Sequence, residues 1–345
     1  MRINWPTRIE VWFLGLLSFV AVCVTGAAHA QVLKTVKDRG ALNCGVSEGL
    51  YGFSARDDKG NWSGFDVDLC RAIAAAIFND ANKVSYTPLA ASRRFEALQS
   101  GRIDVLSRNT TWTMSREIEL ALSFVATNYY DGQGFLIRRA TNKESALELG
   151  GTKICLQTGT TTEANLADYF RANKMKYDVN GSVRAEAAIK GYDSGQCDAL
   201  TADLSQLFAI RLLLSKPNDH FILPDVISKE PLGPVVRQGD TQWFNIVKWI
   251  HFAMVNAEEL GVTSKNIDEM MKSEEPAIRR LVGNEGNYGE KIGLTNDWAA
   301  RVVRRVGNYG EVFERTVGIE SPLGIPRGIN QLWSAGGILY APPIR

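Results

Sequence analysis

Short apolar runs of β type alternate along this chain with longer stretches whose apolar residues recur at helical spacing. Residues 41–46 read as a strand. A turn at Asp57-Asp58-Lys59-Gly60-Asn61 follows, and Gly64 leads into an amphipathic helix at 66–78. Residues 84–87 read as a second strand, 93–99 as a helix and 103–107 as a third strand. Such alternation predicts right-handed crossovers and a parallel sheet. The pattern restarts with a strand at 153–157, a Thr-rich loop at 158–162, a helix at 163–171 and a strongly apolar helix at 204–214. Pro231-Leu232-Gly233-Pro234 reads as a return crossing, and 243–260 as a long helix packing back on the first unit.

Two stretches answer each other. Ser100-Gly101-Arg102-Ile103-Asp104-Val105-Leu106-Ser107 is echoed by Ser194-Gly195-Gln196-Cys197-Asp198-Ala199-Leu200-Thr201. In both, a helical pattern ends at Ser-Gly, where glycine suits a left-handed C-cap, and a buried strand follows one aspartate. A unit that recurs once, far apart, predicts two lobes of similar build with a cleft between them. Residues just beyond each echoed strand then line the cleft: 108–116 on one side and Asp203 on the other.

Residues 1–30 read as an export leader. Arg2 and Arg8 give a basic start, 11–24 is an apolar run too short to span a bilayer, and Ala28-His29-Ala30 offers a small-x-small cleavage site before Gln31. The mature chain is thus expected in the periplasm. Cys23 leaves with the leader, since Val22 precedes it where a lipoprotein would want a small residue. Without the leader, acidic and basic residues are equal in number, which argues against a nucleic-acid or anionic-lipid surface. The 345-residue length suffices for two packed cores.

Four cysteines remain, and in an oxidising compartment an even count favours two disulfides. Cys44 is paired with Cys70 and Cys155 with Cys197, because each pairing stays inside one lobe. Each cross-link stabilises by roughly 3 kcal/mol through the unfolded chain. No cysteine or histidine spacing fits a metal site. His220 and His251 read as structural, and no phosphate-binding loop or Gly-x-Ser-x-Gly elbow occurs. No nucleophile stands beside a base, so hydrolysis is disfavoured and no cofactor is expected.

The segment Arg108-Asn109-Thr110-Thr111-Trp112-Thr113-Met114-Ser115-Arg116 places two guanidinium forks among hydroxyl and amide groups just after a strand end. Arginine offers paired donors matched to a carboxylate. The alternative is that Arg116 pairs with Glu117 or Glu119 on a solvated helix start. In the second lobe, Thr158-Gly159-Thr160-Thr161-Thr162-Glu163 opens a helix, a ready anion site, though a plain capping box of Thr160 with Glu163 fits as well. Asp203 faces the cleft or caps the helix from Leu204. Asp66 and Asp68 read as helix-start capping residues. The pentads Gly286-Asn287-Tyr288-Gly289-Glu290 and Gly307-Asn308-Tyr309-Gly310-Glu311 read as turns without chemistry.

Gly64-Phe65-Asp66-Val67-Asp68-Leu69, followed by Ile73, Ala74 and Ile77, resembles the signature of the extracellular solute-binding proteins (family 3) of polar amino-acid ABC transporters. The whole mature chain, with its C-terminal extension, is similar to the general L-amino-acid-binding branch. The resemblance implies a two-lobed α/β fold of periplasmic-binding-protein type II, each lobe a central sheet flanked by helices, the two joined by hinge strands near 131–133 and 230–233. Lobe 1 then takes 31–131 and 234–345, and lobe 2 takes 132–233. It implies broad L-amino-acid binding, delivery to permease subunits of an inner-membrane ABC importer, and a monomer.

By the same resemblance, Arg116 grips the ligand α-carboxylate, Asn109 and Thr111 contact its charged head, Thr161 and Thr162 donate from lobe 2, and Asp203 binds the ammonium. Lysine- and histidine-binding relatives carry an acidic residue where Ser47 stands, an aromatic clamp near Leu50 and a serine where Arg108 stands. Ser47 and Arg108 therefore favour Glu, Gln, Asp and Asn over cationic ligands. Two alternatives stand beside this one: an enzyme on the same scaffold, dehydratase or lytic transglycosylase in kind, and a ligand-sensing module.

Overall fold

The computed structural model describes Met1 and residues 32–345 of the chain. The leader reading, with Cys23 and the cleavage site before Gln31, falls outside the described residues. Helix α1 (Val32–Arg39) leads into β1 (Leu42–Ser47). A small hairpin, β2 (Ala55–Arg56) and β3 (Trp62–Ser63), precedes α2 (Phe65–Phe78), β4 (Val84–Leu89), α3 (Arg94–Gln99), β5 (Val105–Leu106), α4 (Met114–Ile118) and β6 (Leu122–Phe124). The chain then runs through β7 (Tyr129–Asp131) into β8 (Gln133–Arg138), β9 (Lys153–Gln157), α5 (Thr162–Ala172), β10 (Asp178–Ser182), α6 (Ala185–Asp193), β11 (Ala199–Asp203), α7 (Leu204–Leu213) and β12 (His220–Ile222). It returns through β13 (Glu230–Leu232) and β14 (Val235–Arg237) to α8 (Thr241–Glu259), then α9 (Ile267–Met270), α10 (Pro276–Val282), α11 (Tyr288–Ile292), α12 (Trp298–Val306) and α13 (Tyr309–Thr316).

Two five-stranded sheets result, ordered β4-β1-β5-β14-β6 and β10-β9-β11-β8-β12. Their build is the same: the first strand of each unit sits between its second and third, and a strand arriving from the crossing follows. The echoed segments supply the third strand of each sheet, β5 and β11. Even their aspartates act alike. Asp104 Oδ2 accepts the Asn43 amide at 2.7 Å, and Asp198 Oδ2 accepts the Lys153 amide at 2.8 Å. Each thereby pins the start of its unit's first strand, β1 or β9. Gly101 and Gly195 have φ of 77° and 84°, the left-handed caps that only glycine adopts without strain.

The sheets are mixed, where the alternation predicted parallel ones. β1 runs parallel to β4 and β5, but β14 enters antiparallel to β5 and β6, and β8 lies antiparallel to β11 and β12. A strand that arrives from the other lobe has no crossover helix to reverse it, so it pairs in the opposite sense. Between the sheets, β7 and β13 form a two-stranded antiparallel ribbon, Glu230 opposite Asp131 and Leu232 opposite Tyr129.

Helix α8, α12 and α13 pack against α2, and the first core continues into the C-terminal segment through Leu323, Ile325, Leu332, Leu339 and Ala341. The Gly-Asn pentads are helix starts, not plain turns. Asn308 caps α13, its side chain accepting the Glu311 amide at 2.9 Å while Glu311 returns to the Asn308 amide at 2.8 Å. Cys44 and Cys70 join β1 to α2 with Cα atoms 6.3 Å apart, and Cys155 and Cys197 join β9 to the start of β11 at 5.7 Å. No helix among the described residues is long and apolar enough to cross a membrane.

Candidate ligand-binding site

The segment after β5 follows the signature helix because Asp66 holds it there. Asp66 does not cap α2; its carboxylate accepts the Asn109 amide at 2.9 Å and the Ser107 hydroxyl at 3.3 Å. Burial pushes Asp66 up to about 7. Asp68 is likewise no cap, being bound by Arg71 at 3.1 Å and by Arg315 of α13 at 2.7 Å. Asn109 takes φ of 33°, in the left-handed region that asparagine tolerates. Further along, Thr110 and Trp112 pair with β13: Gly233 donates to the Thr110 carbonyl at 3.0 Å and Trp112 to the Pro231 carbonyl at 2.8 Å. The segment is an irregular third strand of the hinge ribbon.

Arg116 does not pair with Glu117 or Glu119. It turns back to donate to the Thr111 carbonyl at 2.8 Å, and Glu117 accepts the Trp112 indole instead. Its guanidinium lies 5.4 Å from the centre of the Phe95 ring, and Arg94 lies 4.7 Å from the same ring. Arg94 is 3 % exposed, and its Nε has no hydrogen-bond partner among the described residues. Arg108, also buried, gives its Nε to the Leu89 carbonyl at 2.9 Å. Burial and then mutual repulsion pull Arg94 well below the usual guanidinium range, and burial brings Arg108 to about 10. Three arginines so placed call for an anion.

The opposite wall supplies the complement. Asp203 stands at the head of α7 and is buried, yet its side chain caps nothing; it accepts from the Gln206 side-chain Nε2 at 2.8 Å. The capping place is taken by Asp131 of β7, whose carboxylate accepts the Ser205 amide at 3.3 Å. Burial, and then the charges of Asp131 and Glu230, push Asp203 well above the usual carboxylate range. Asp131 is raised to about 6, chiefly by burial. Glu230, 1 % exposed, accepts from Thr161 Oγ1 at 3.0 Å, Ser228 at 2.9 Å and Asn165 at 2.5 Å. Three crowded carboxylates favour a cation among them.

The two sets meet. Asp203 is close enough for its charge to act on Arg94, Arg108 and Arg116. Across the gap, the Thr111 and Thr161 hydroxyls are 3.5 Å apart. The Thr160–Glu163 capping box does not form as expected. Thr160 Oγ1 accepts the Thr162 amide at 3.2 Å, and Glu163 reaches past to the Gly159 amide at 2.9 Å. Thr162 is buried, its carbonyl accepting from Gln133 at 3.2 Å. Ser47, at the end of β1, joins Arg108, Asn109, Gln206 and Arg184 around a cleft.

Arg94, Asp131 and Glu230 were not singled out for the site by sequence. One signal pointed to Arg94: a cation in the first turn of a helix opposes the helix dipole and needs a reason to be there. Nothing local marked the two acidic hinge residues, since β7 and β13 become neighbours only when the lobes assemble.

Comparisons with known proteins place the chain among characterised relatives. Residues 42–267 match the family described as bacterial extracellular solute-binding proteins, family 3. The chain is 55 % identical over 329 residues to the general L-amino acid-binding periplasmic protein AapJ of Rhizobium johnstonii, covering 94 % of this chain and 96 % of that one. It is 52 % identical over 335 residues to the glutamate/glutamine/aspartate/asparagine-binding protein BztA of Rhodobacter capsulatus, covering 96 % and 98 %. A solved ABC-transporter periplasmic binding protein from Brucella ovis with glutathione bound superposes with a TM-score of 0.91 at 55 % identity, over 92 % of this chain and all of that one.

Proposed function

The chain belongs to the bacterial extracellular solute-binding proteins, family 3, and from that premise we propose that it binds L-amino acids in the periplasm and hands them to the permease subunits of an inner-membrane ABC importer. Its role is capture, not catalysis. The leader, residues 1–30, is removed on export, and the mature protein works as a monomer. Lobe 1 comprises 31–131 and 234–345, and lobe 2 comprises 132–233.

One observation carries the reading: the guanidiniums of Arg94, Arg108 and Arg116 lie within range of the charge of a buried carboxylate, Asp203, from the other lobe, a pairing that suits the two charged ends of an amino acid. Arg116 takes the α-carboxylate, with Thr111 and Asn109 beside it. Asp203 takes the ammonium, with Thr161 and Thr162 closing from lobe 2. Each such charge-assisted bond contributes about 1.5–3 kcal/mol net. Arg94, Arg108 and Ser47 face the ligand side chain, and so select Glu, Asp, Gln and Asn over cationic side chains. AapJ, a general L-amino acid binder, and BztA, which binds those same four, support this breadth. Because the ligand touches both lobes, it favours the closed form that a transporter can distinguish.

The glutathione in the Brucella ovis relative supports a second class of ligand. A γ-glutamyl group presents the same free α-carboxylate and α-ammonium, and its extended side chain would lie along the cleft lined by Ser47, Arg108, Asn109 and Arg184. Calorimetric titration with the twenty amino acids and glutathione, on wild type and Arg116→Ala, tests the reading. Binding by wild type with a loss of roughly a hundredfold in the variant is expected. Equal affinities would remove the clamp.

A further inference from the structure

The family match ends at residue 267, and the chain beyond it reaches the hinge. Tyr130 lies in β7 directly opposite Pro231 of β13. Proline has no amide to offer, and this is a pair that exchanges no ladder bonds, so the Tyr130 N–H and C=O point away from β13. Both are taken by one side chain from the C-terminal extension. Tyr130 donates its amide to Asn330 Oδ1 at 2.7 Å, and Asn330 Nδ2 donates to the Tyr130 carbonyl at 3.0 Å. Asn330 thus replaces a neighbouring strand at one position.

That side chain is itself held rigid. Asn330 is 4 % exposed, and its carbonyl accepts from Arg327 Nε at 3.1 Å and from a terminal Arg327 nitrogen at 3.0 Å. Arg327 is paired with Glu258 of α8 at 3.0 Å and lies over the rings of Tyr309 and Phe313. One residue upstream of the hinge strand, the Tyr309 hydroxyl donates to the Asn128 carbonyl at 2.9 Å. The second Gly-Asn pentad therefore does more than turn the chain, because its Asn308 starts the helix that aims Tyr309 at the hinge.

Across the ribbon the order is Asn330, β7, β13 and the 110–112 segment, the last carrying the Thr111 carbonyl that Arg116 grips. We infer that Asn330 is a positioning residue for ligand binding: it fixes the first hinge strand in the arrangement that brings the lobes together and so sets the fraction of molecules competent to close. The inference rests on the amino-acid-binding reading above. A hinge residue that changes only the closed fraction scales every apparent affinity by one common factor, because the contacts to each ligand are untouched.

The test is titration of Glu, Gln, Asp and Asn into wild type and Asn330→Ala at 25 °C, with ligand-free small-angle scattering of both. Expected are affinities weaker by the same factor for all bound ligands, about tenfold for two lost hydrogen bonds, and a larger ligand-free radius of gyration. A merely structural role would lower Tm and leave both readings where they were. Affinities within twofold of wild type, or factors that differ from ligand to ligand, would overturn the inference. Should Asn330→Ala not fold, Tyr309→Phe, which keeps the packed ring and removes only the bond to Asn128, decides by the same criteria with a smaller common factor. A wild type that binds no amino acid overturns the functional reading and this inference together; binding by wild type with no common loss overturns the inference alone.

Discussion

Asp131 caps the helix that Asp203 begins. Its carboxylate, arriving from the first hinge strand, accepts the Ser205 backbone amide at 3.3 Å, and Asp203 is left with one neutral partner, the Gln206 side-chain Nε2. A residue in the usual N-cap position is thereby released from capping, buried beside two other acids and kept charged only at a cost.

Asp203→Asn is therefore expected to separate stability from function. Removing a like charge from the Asp131–Glu230 neighbourhood holds or raises Tm by a few degrees, the order that about 1 kcal/mol produces. Loss of the proposed ammonium partner is expected to weaken amino-acid binding by roughly a hundredfold or more. Thermal melting and calorimetry on the same sample check it. A variant that melts lower and still binds would mean that Asp203 serves the fold alone.

Ligand binding is expected to release protons. Asp131 is held at about 6 and Asp203 well above the usual carboxylate range, so near neutral pH this cluster of the free protein is partly protonated. An ammonium placed among these groups lowers their proton affinity, so protons leave on binding and apparent affinity rises with pH through the range above 6. Titrations at one pH in buffers of different ionisation enthalpy measure the number released. Identical observed enthalpies across buffers would rule it out.

Arg94→Met tests the residue that sequence did not single out. A buried guanidinium whose Nε has no partner among the described residues destabilises the ligand-free protein, and an apolar side chain of similar length relieves that. Tm should rise. Affinity for Glu and Asp should fall by about tenfold or more, and affinity for Gln and Asn by less, since a charged hydrogen bond contributes more than a neutral one. Equal losses for all four would move Arg94 to the α-carboxylate.

Acid sensitivity should trace in part to His251. Burial in α8 holds this imidazole down at about 4, against about 6.5 when unfolded. The unfolded chain therefore binds the extra proton between those values. Stability is full above the unfolded value and falls as pH drops towards 4, by roughly 3 kcal/mol from this group. Asp66, raised to about 7, has the opposite sign: its penalty appears as pH rises from the usual carboxylate value. His251→Phe, placed among the rings of Phe252 and Tyr309, should lose less stability than wild type between pH 7 and pH 4.5 in urea unfolding. A parallel decline in both would exclude it.

Sequence alone determined the parts of this protein that are local. Gly101 and Gly195 end helices because the left-handed region is open to them, and the aspartates three residues later open matched strands, so two lobes of one build were legible. The Arg108–Arg116 segment likewise marked two guanidinium forks just after a strand end, with pairing of Arg116 to Glu117 or Glu119 left open.

Tertiary structure decided whatever depends on residues far apart in the chain. Asp66 looked like a cap, and became a clamp on Asn109 only because α2 and the 108–116 segment are packed together. Asp203 could be read as a cleft carboxylate or as a cap, and Asp131 took the capping role. The pentad at Gly307 looked like a turn, and aims Tyr309 at the hinge, where Asn330 closes the edge of β7. In each case the choice was between hydrogen-bond partners of similar intrinsic strength. Local sequence sets which donors and acceptors exist; only the packed chain sets which of them are buried together and must satisfy one another.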